Sequence, residues 1–150
     1  MDAPRFPAVT GEALDGTPFV APRDLLGAET VVLVGFAIEH KPELESWVPF
    51  LDGLARSGSV RAKLFIPLKV PKLLRGGIVA AMRAGVTQPE LRASTVPLFV
   101  DVNAFCEALG IAGRAHLVVL LLASDGSVAW RGGGPFCDAA GASLTAALGA

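Results

Sequence analysis

Cysteine is scarce in this sequence: Cys106 and Cys137 are the two among 150 residues. Two are too few for a disulfide scaffold, and their spacing matches no zinc pattern. Charge is sparse too. Asp, Glu, Lys and Arg make up 18% of the chain and the formal net charge is −1, so nothing in the total points to nucleic acid. Long apolar runs are missing. The longest, Leu117 to Ala123, is strand-sized and falls short of the ~18 residues that signal a membrane span. The start, Met1-Asp2-Ala3-Pro4-Arg5, lacks the basic stretch and apolar core of a secretory signal, which makes the cytoplasm the expected location.

What is present is mostly apolar. A hydrophobic content of 52% argues against disorder, and 150 residues suit one domain over 1–150. A chain of this length buries roughly 70% of its unfolded surface, so it needs no disulfide, metal or cofactor to fold.

The pattern alternates strands and helices. Met1 to Pro7 reads as a loose lead-in, and Pro18 to Val20 as a short strand after the turn at Leu14-Asp15-Gly16. Val31 to Ala37 is apolar and largely β-branched, which predicts a strand buried on both faces. Leu44, Trp47, Val48, Leu51, Leu54 and Ala55 fall on one face of a helix over Pro42 to Arg56. Pro42 suits its first turn, and Pro49 inside it predicts a kink. Strands follow at Val60 to Val70 and Val96 to Asp101, separated by a helix over Pro71 to Gly85 that Gly76-Gly77 weakens. A short helix, Asn103 to Leu109, closes at Gly110. Leu117 to Ala123 and Val128 to Arg131 are strands joined at Asp125-Gly126, a hairpin signal. Gly132 to Pro135 breaks the chain before a last helix, Asp138 to Leu148. Such an order requires an α/β fold, a mixed sheet with helices on both faces.

One stretch makes the likeness specific. Val31 to Ala55 reads VVLVGFAIEHKPELESWVPFLDGLA. It aligns without a gap to the thioredoxin pattern F-W-A-x-W-C-G-P-C-K-x-x-x-P-x-L-D-x-x-A on Phe36, Pro49, Leu51, Asp52 and Ala55. Ala108-Leu109-Gly110-Ile111 and Asp125-Gly126-Ser127-Val128 match later landmarks. The chain thus resembles the thioredoxin-like superfamily without its CxxC site, with a helical insertion at about 71–94. In that register the redox cysteines fall on Lys41 and Leu44, and the buried acid of the central strand on Gly35. The cis-proline facing the site falls near Ala115 to Leu117, where there is none. Lysine and leucine can neither supply a thiolate nor resolve a mixed disulfide. The chain is also similar to bacterial relatives of the mitochondrial ATP synthase assembly factor family. Glu45-Ser46-Trp47, Gly126-Ser127-Val128-Ala129-Trp130 and Gly134 carry that similarity, which implies a chaperone-like role rather than catalysis.

The resemblance brings His40 and His116, the only histidines, near the former redox centre beside Glu39, Lys41 and Glu43. A His–carboxylate group there could hold a metal or act as an acid–base pair; the plain alternative is an exposed loop histidine and a strand-edge histidine. Cys106, next to Phe105, reads as a buried apolar cysteine. Cys137 precedes the last helix, whose N-terminus can lower a thiol pKa. The implied layout puts these two helices on opposite faces of the sheet, which disfavours a Cys106–Cys137 disulfide. Gly132-Gly133-Gly134 beside Arg131 could form an anion nest, but it lacks a phosphate-motif spacing and reads as a strand exit.

Charge is unevenly spread. From Arg61 to Arg92 there are seven basic residues and one acid, Glu90, which gives that segment +6 and the remainder −7. Lys72, Arg75 and Arg83 are therefore the expected contacts for a protein partner, an acidic one by charge complementarity; the plain alternative is a solvated face. The stripe Leu74, Ile78 and Met82 is expected to anchor this helix, leaving the cations outward. The reading that follows is a non-redox binding module, more adaptor than enzyme. The alternative is an enzyme whose chemistry has moved to Cys137 or to the His40 and His116 region; a third reading is a small-ligand carrier that uses the gap near the former redox centre.

Overall fold

The computed structural model describes residues 4–58 and 60–149. A five-stranded sheet runs in the order β5-β4-β3-β6-β7. These strands are β3 (Glu29–Val34), β4 (Val60–Leu68), β5 (Thr95–Phe99), β6 (Val118–Leu122) and β7 (Val128–Gly133). β3, β4 and β5 are parallel; β6 and β7 add antiparallel. A separate hairpin pairs β1 (Val9–Glu12) with β2 (Pro18–Ala21). The helices are α1 (Lys41–Arg56), α2 (Arg75–Gly85), α3 (Pro89–Ser94), α4 (Val102–Leu109) and α5 (Asp138–Ala147).

Alternation along the strands sorts the core into two layers. Val32, Val34, Leu120 and Leu122 point to one face, under Phe6, Phe19, Phe105 and Leu109. Val31, Leu33, Val119 and Leu121 point to the other, under Trp47 and Leu51 of α1 and Leu144 of α5. β3 is central and buried on both faces, as its apolar run predicts, because it has a strand on each side and a layer on each face. Cys106 lies in α4 and Cys137 at the start of α5, helices on opposite faces, and both thiols are free. α1 carries Pro49 inside it without ending, and its apolar face buries Trp47 completely.

Several expectations change. The lead-in is not loose where it is described: Phe6 fills the core, its N–H donates to the Gly126 carbonyl, and Arg5 bridges Ser127. β1 was not foreseen. It lies so close to β5 that a Cβ on Gly11 would stand 3.0 Å from Leu98 and 3.3 Å from the Pro97 carbonyl oxygen. β7 continues through Gly132 and Gly133 and ends there, so the expected break begins only at Gly134. A Cβ on Gly133 would lie 2.5 Å from the Leu117 carbonyl oxygen, so glycine permits the close strand pairing. In the insertion, Lys72–Leu74 forms a 3-10 turn before α2, and α3 follows as an unpredicted second helix. Gly76 and Gly77 do not interrupt α2. Leu74 does not anchor it either; it is 60% exposed, and Ile78 and Met82 are only half-buried, so the stripe does not bury as expected.

Candidate functional site

The site is built where the chain leaves β3. The Gly35 N–H donates to the Phe65 carbonyl, the last β3-to-β4 link, and a 3-10 turn at Ile38–His40 then redirects the chain into α1. Lys41 and Leu44 stand in the first turn of that helix. The described residues there include no thiol.

His40 is not an exposed loop residue. It is 5% exposed and both ring nitrogens are engaged. The Phe36 N–H donates to Nδ1 at 3.1 Å, which leaves the proton on Nε2, and Nε2 donates to the Ala115 carbonyl at 3.2 Å. The neutral ring clasps the exit of β3 to the loop before β6. With both nitrogens bonded to backbone groups, the ring presents no free lone pair in this arrangement.

His116 and Glu43 do meet. Nδ1 of His116 lies 3.1 Å from Oε1 of Glu43, whose side chain is 14% exposed against 69% for the histidine. Nε2 of His116 has no partner among the described residues. A shallow pocket of about 360 Å³ opens beside this pair, lined by Gly113, Ala115, His116, Gly133 and Pro135. Two further bonds fix α1 beneath it: Trp47 Nε1 donates to the Gly134 carbonyl at 2.9 Å, and the Phe136 N–H donates to Ser46 Oγ at 2.9 Å. Cys137, just beyond, is exposed and has no hydrogen-bond or ion-pair partner among the described residues. His40 and His116 thus flank Ala115 without forming a joint centre, and no cluster among the described residues has the donors for a metal ion.

The larger cavity lies on the other side of α1. It is a groove of about 410 Å³ between the start of α1, the floor of β4 and α2. Phe36, Ile38, Leu44, Leu64, Ile78 and Met82 line it, and Lys41 stands among them. Partial notice of it stands in the sequence: Ile78 and Met82 are two of the three residues of an apolar stripe. No local signal says that this stripe stops short of full burial.

The basic segment is largely tied down, against the expectation of outward cations. Arg83 Nε donates to the Leu14 carbonyl at 2.8 Å, and its guanidinium is 3.9 Å from Glu12. Arg75 Nε donates to the Val70 carbonyl at 3.1 Å and lies over the Phe99 ring. Arg92 bonds the Val86 and Arg83 carbonyls, Arg61 bonds three carbonyls near Asp24, and Lys63 bonds Ala93. Guanidinium groups spread over five donors, which suits them to this bridging of loops. Lys69 and Lys72 are exposed without partners among the described residues, and Leu73 beside them is 98% exposed.

No family model matches the chain, and no curated protein matches it. Solved structures do. A thiol:disulfide interchange protein of the thioredoxin family from Chlorobium tepidum TLS aligns with a TM-score of 0.61 at 17% identity, covering 99% of this chain and 98% of its own. A thiol peroxidase from Chromobacterium violaceum aligns at 0.61 and 12% identity, covering 97% and 86%. BsSco, a member of the Sco family of cytochrome c oxidase assembly proteins, aligns at 0.60 and 14% identity, covering 97% and 94%. With the sheet order, these matches establish a thioredoxin-like fold.

Proposed function

We propose that this chain, thioredoxin-like in fold and without a thiol at the start of α1, is a non-redox binding module rather than an enzyme. The observation that carries the reading is the groove beside Lys41 and Leu44. It is apolar, open to solvent and lined by no cysteine, acid or free histidine among the described residues. A site of this kind binds by burial and has no group that takes or gives electrons. The assembly-factor or adaptor role implied by the sequence resemblance is one form of this reading, with a protein as partner. Lys69, Lys72 and Leu73 are then its outer contacts, in place of Arg75 and Arg83.

A second reading has one observation in its favour, the Glu43–His116 contact. A carboxylate on Nδ1 orients a histidine whose Nε2 faces outward, the arrangement of a general base. No hydroxyl or thiol among the described residues is hydrogen-bonded to His116, so this reading ranks second.

The test is turnover. Purified protein is expected to leave insulin disulfides intact and to show no catalytic turnover of peroxide, because a lone exposed thiol at Cys137 has no resolving partner. Sustained turnover that disappears in Cys137→Ser would replace the binding module by a single-cysteine enzyme. Hydrolysis of an activated ester that disappears in His116→Ala would favour the second reading.

A further inference from the structure

The groove's occupant is constrained by what its walls lack. Three lining side chains are polar: His40, Lys41 and Thr95. His40 has both nitrogens bonded, and the Thr95 hydroxyl donates to the Leu91 carbonyl at 2.6 Å. Lys41 alone is left, exposed and without a partner among the described residues. It stands at the start of α1, a 16-residue helix whose N-cap makes no side-chain hydrogen bond. Of the acids near it in sequence, Glu39 and Glu45 are exposed and outside the lining, and Glu43 is turned to His116. Lys41 is therefore the one charged group among the described lining residues, and it stands at the positive end of a helix dipole.

A peptide laid in the groove would bury backbone N–H and C=O groups against walls whose side chains offer them no partner, at a desolvation cost for each. An alkyl chain brings no such groups and gains from every methylene it buries. Its length is set by the floor. Leu64, Ile66 and Leu68 span four residue steps of β4, so the floor is about 13 Å long at ~3.3 Å per residue, a match for an extended chain of about ten to twelve carbons. Ile38, 77% exposed at the mouth, gains cover from the same chain.

We propose that the groove binds a medium-chain aliphatic carboxylate, tail along β4 and headgroup at Lys41. This rests on the binding-module reading and names its ligand. The experiment is calorimetric titration of the full chain with dodecanoate below its micelle concentration. Saturable binding of one dodecanoate per chain is expected. The affinity should fall by about tenfold or more in Lys41→Glu, and dodecyltrimethylammonium should bind the parent weaker by a similar factor. Met82→Trp, which fills the groove, should abolish binding while the circular dichroism spectrum stays that of the parent. Should that variant fail to fold, octanoate takes its place: its shorter tail leaves part of the floor bare, so it should bind more weakly than dodecanoate. No saturable dodecanoate binding overturns the proposal, as does ammonium binding of equal strength or dodecanoate binding unchanged in Lys41→Glu. Those failures leave the insulin result untouched, whereas insulin turnover would overturn the binding module whatever dodecanoate does.

Discussion

Trp47 and His40 carry most of the structure around the site. Trp47 is fully buried, packs edge-on against Phe50 and Phe136, and spends its one donor on the Gly134 carbonyl. Replacing it by alanine removes the ring and leaves that buried carbonyl unpaired. Trp47→Ala is expected to lower stability by about 3–5 kcal/mol, the range for a large buried aromatic, measured by urea unfolding. A loss under about 1 kcal/mol would mean that the site collapses around the gap, against the packing described here. His40 was expected from the sequence as a loop residue or a chemical group. The turn at Ile38–His40 folds its ring back onto Phe36, and Ala115, distant in the chain, completes the pair of bonds.

At the scale of elements, carboxylates hold the turns. The Val20 N–H donates to Asp24 Oδ2 at 2.7 Å, tying the 3-10 turn at Arg23–Leu25 to β2, and Arg23 bonds the other oxygen. The Val20 N–H first, and then Arg23, hold the Asp24 carboxyl below the ordinary aspartate range. A folded-state pKa below the unfolded one means that this bond stabilises the fold fully above the unfolded value. The contribution is lost as pH falls through the lowered, folded value. The difference in melting temperature between the parent and Asp24→Asn should therefore be largest near neutral pH and vanish in strong acid. A difference that persisted unchanged there would assign the effect to shape rather than charge. The Asp125 carboxyl is lowered in the same direction, first by the Ser127 hydroxyl and then by the Ser127 N–H, at the β6–β7 turn.

For the whole molecule, the charge asymmetry has two jobs that sequence cannot separate. Arg83 anchors α2 to the segment after β1 through the Leu14 carbonyl, while Lys72 stands free in solvent among the described residues. Reversing each charge separates the roles. Arg83→Glu should lower the melting temperature, since it strips a carbonyl of its donor and puts an acid beside Glu12. Lys72→Glu should leave it unchanged. Equal melting temperatures for the two variants would show that the arginine contacts add nothing to stability.

The layered α/β architecture was legible in the sequence. Alternation in Val31 to Val34, the one-sided face of α1 around Trp47 and the Asp125-Gly126 turn are local patterns, set by which way consecutive side chains point. The same register placed Lys41 and Leu44 at the start of α1, the ground of the thiol-free reading. Three things were decided by the tertiary structure alone: the burial of His40, the tying of Arg83 to the Leu14 carbonyl, and the groove between α1 and α2. Each depends on residues distant in the chain, Ala115 for His40 and Leu14 for Arg83. A groove arises where two apolar surfaces, here β4 with α1 and the Ile78–Met82 stripe of α2, approach without closing. Periodicity records that both surfaces are apolar; only their spacing in the fold leaves room between them.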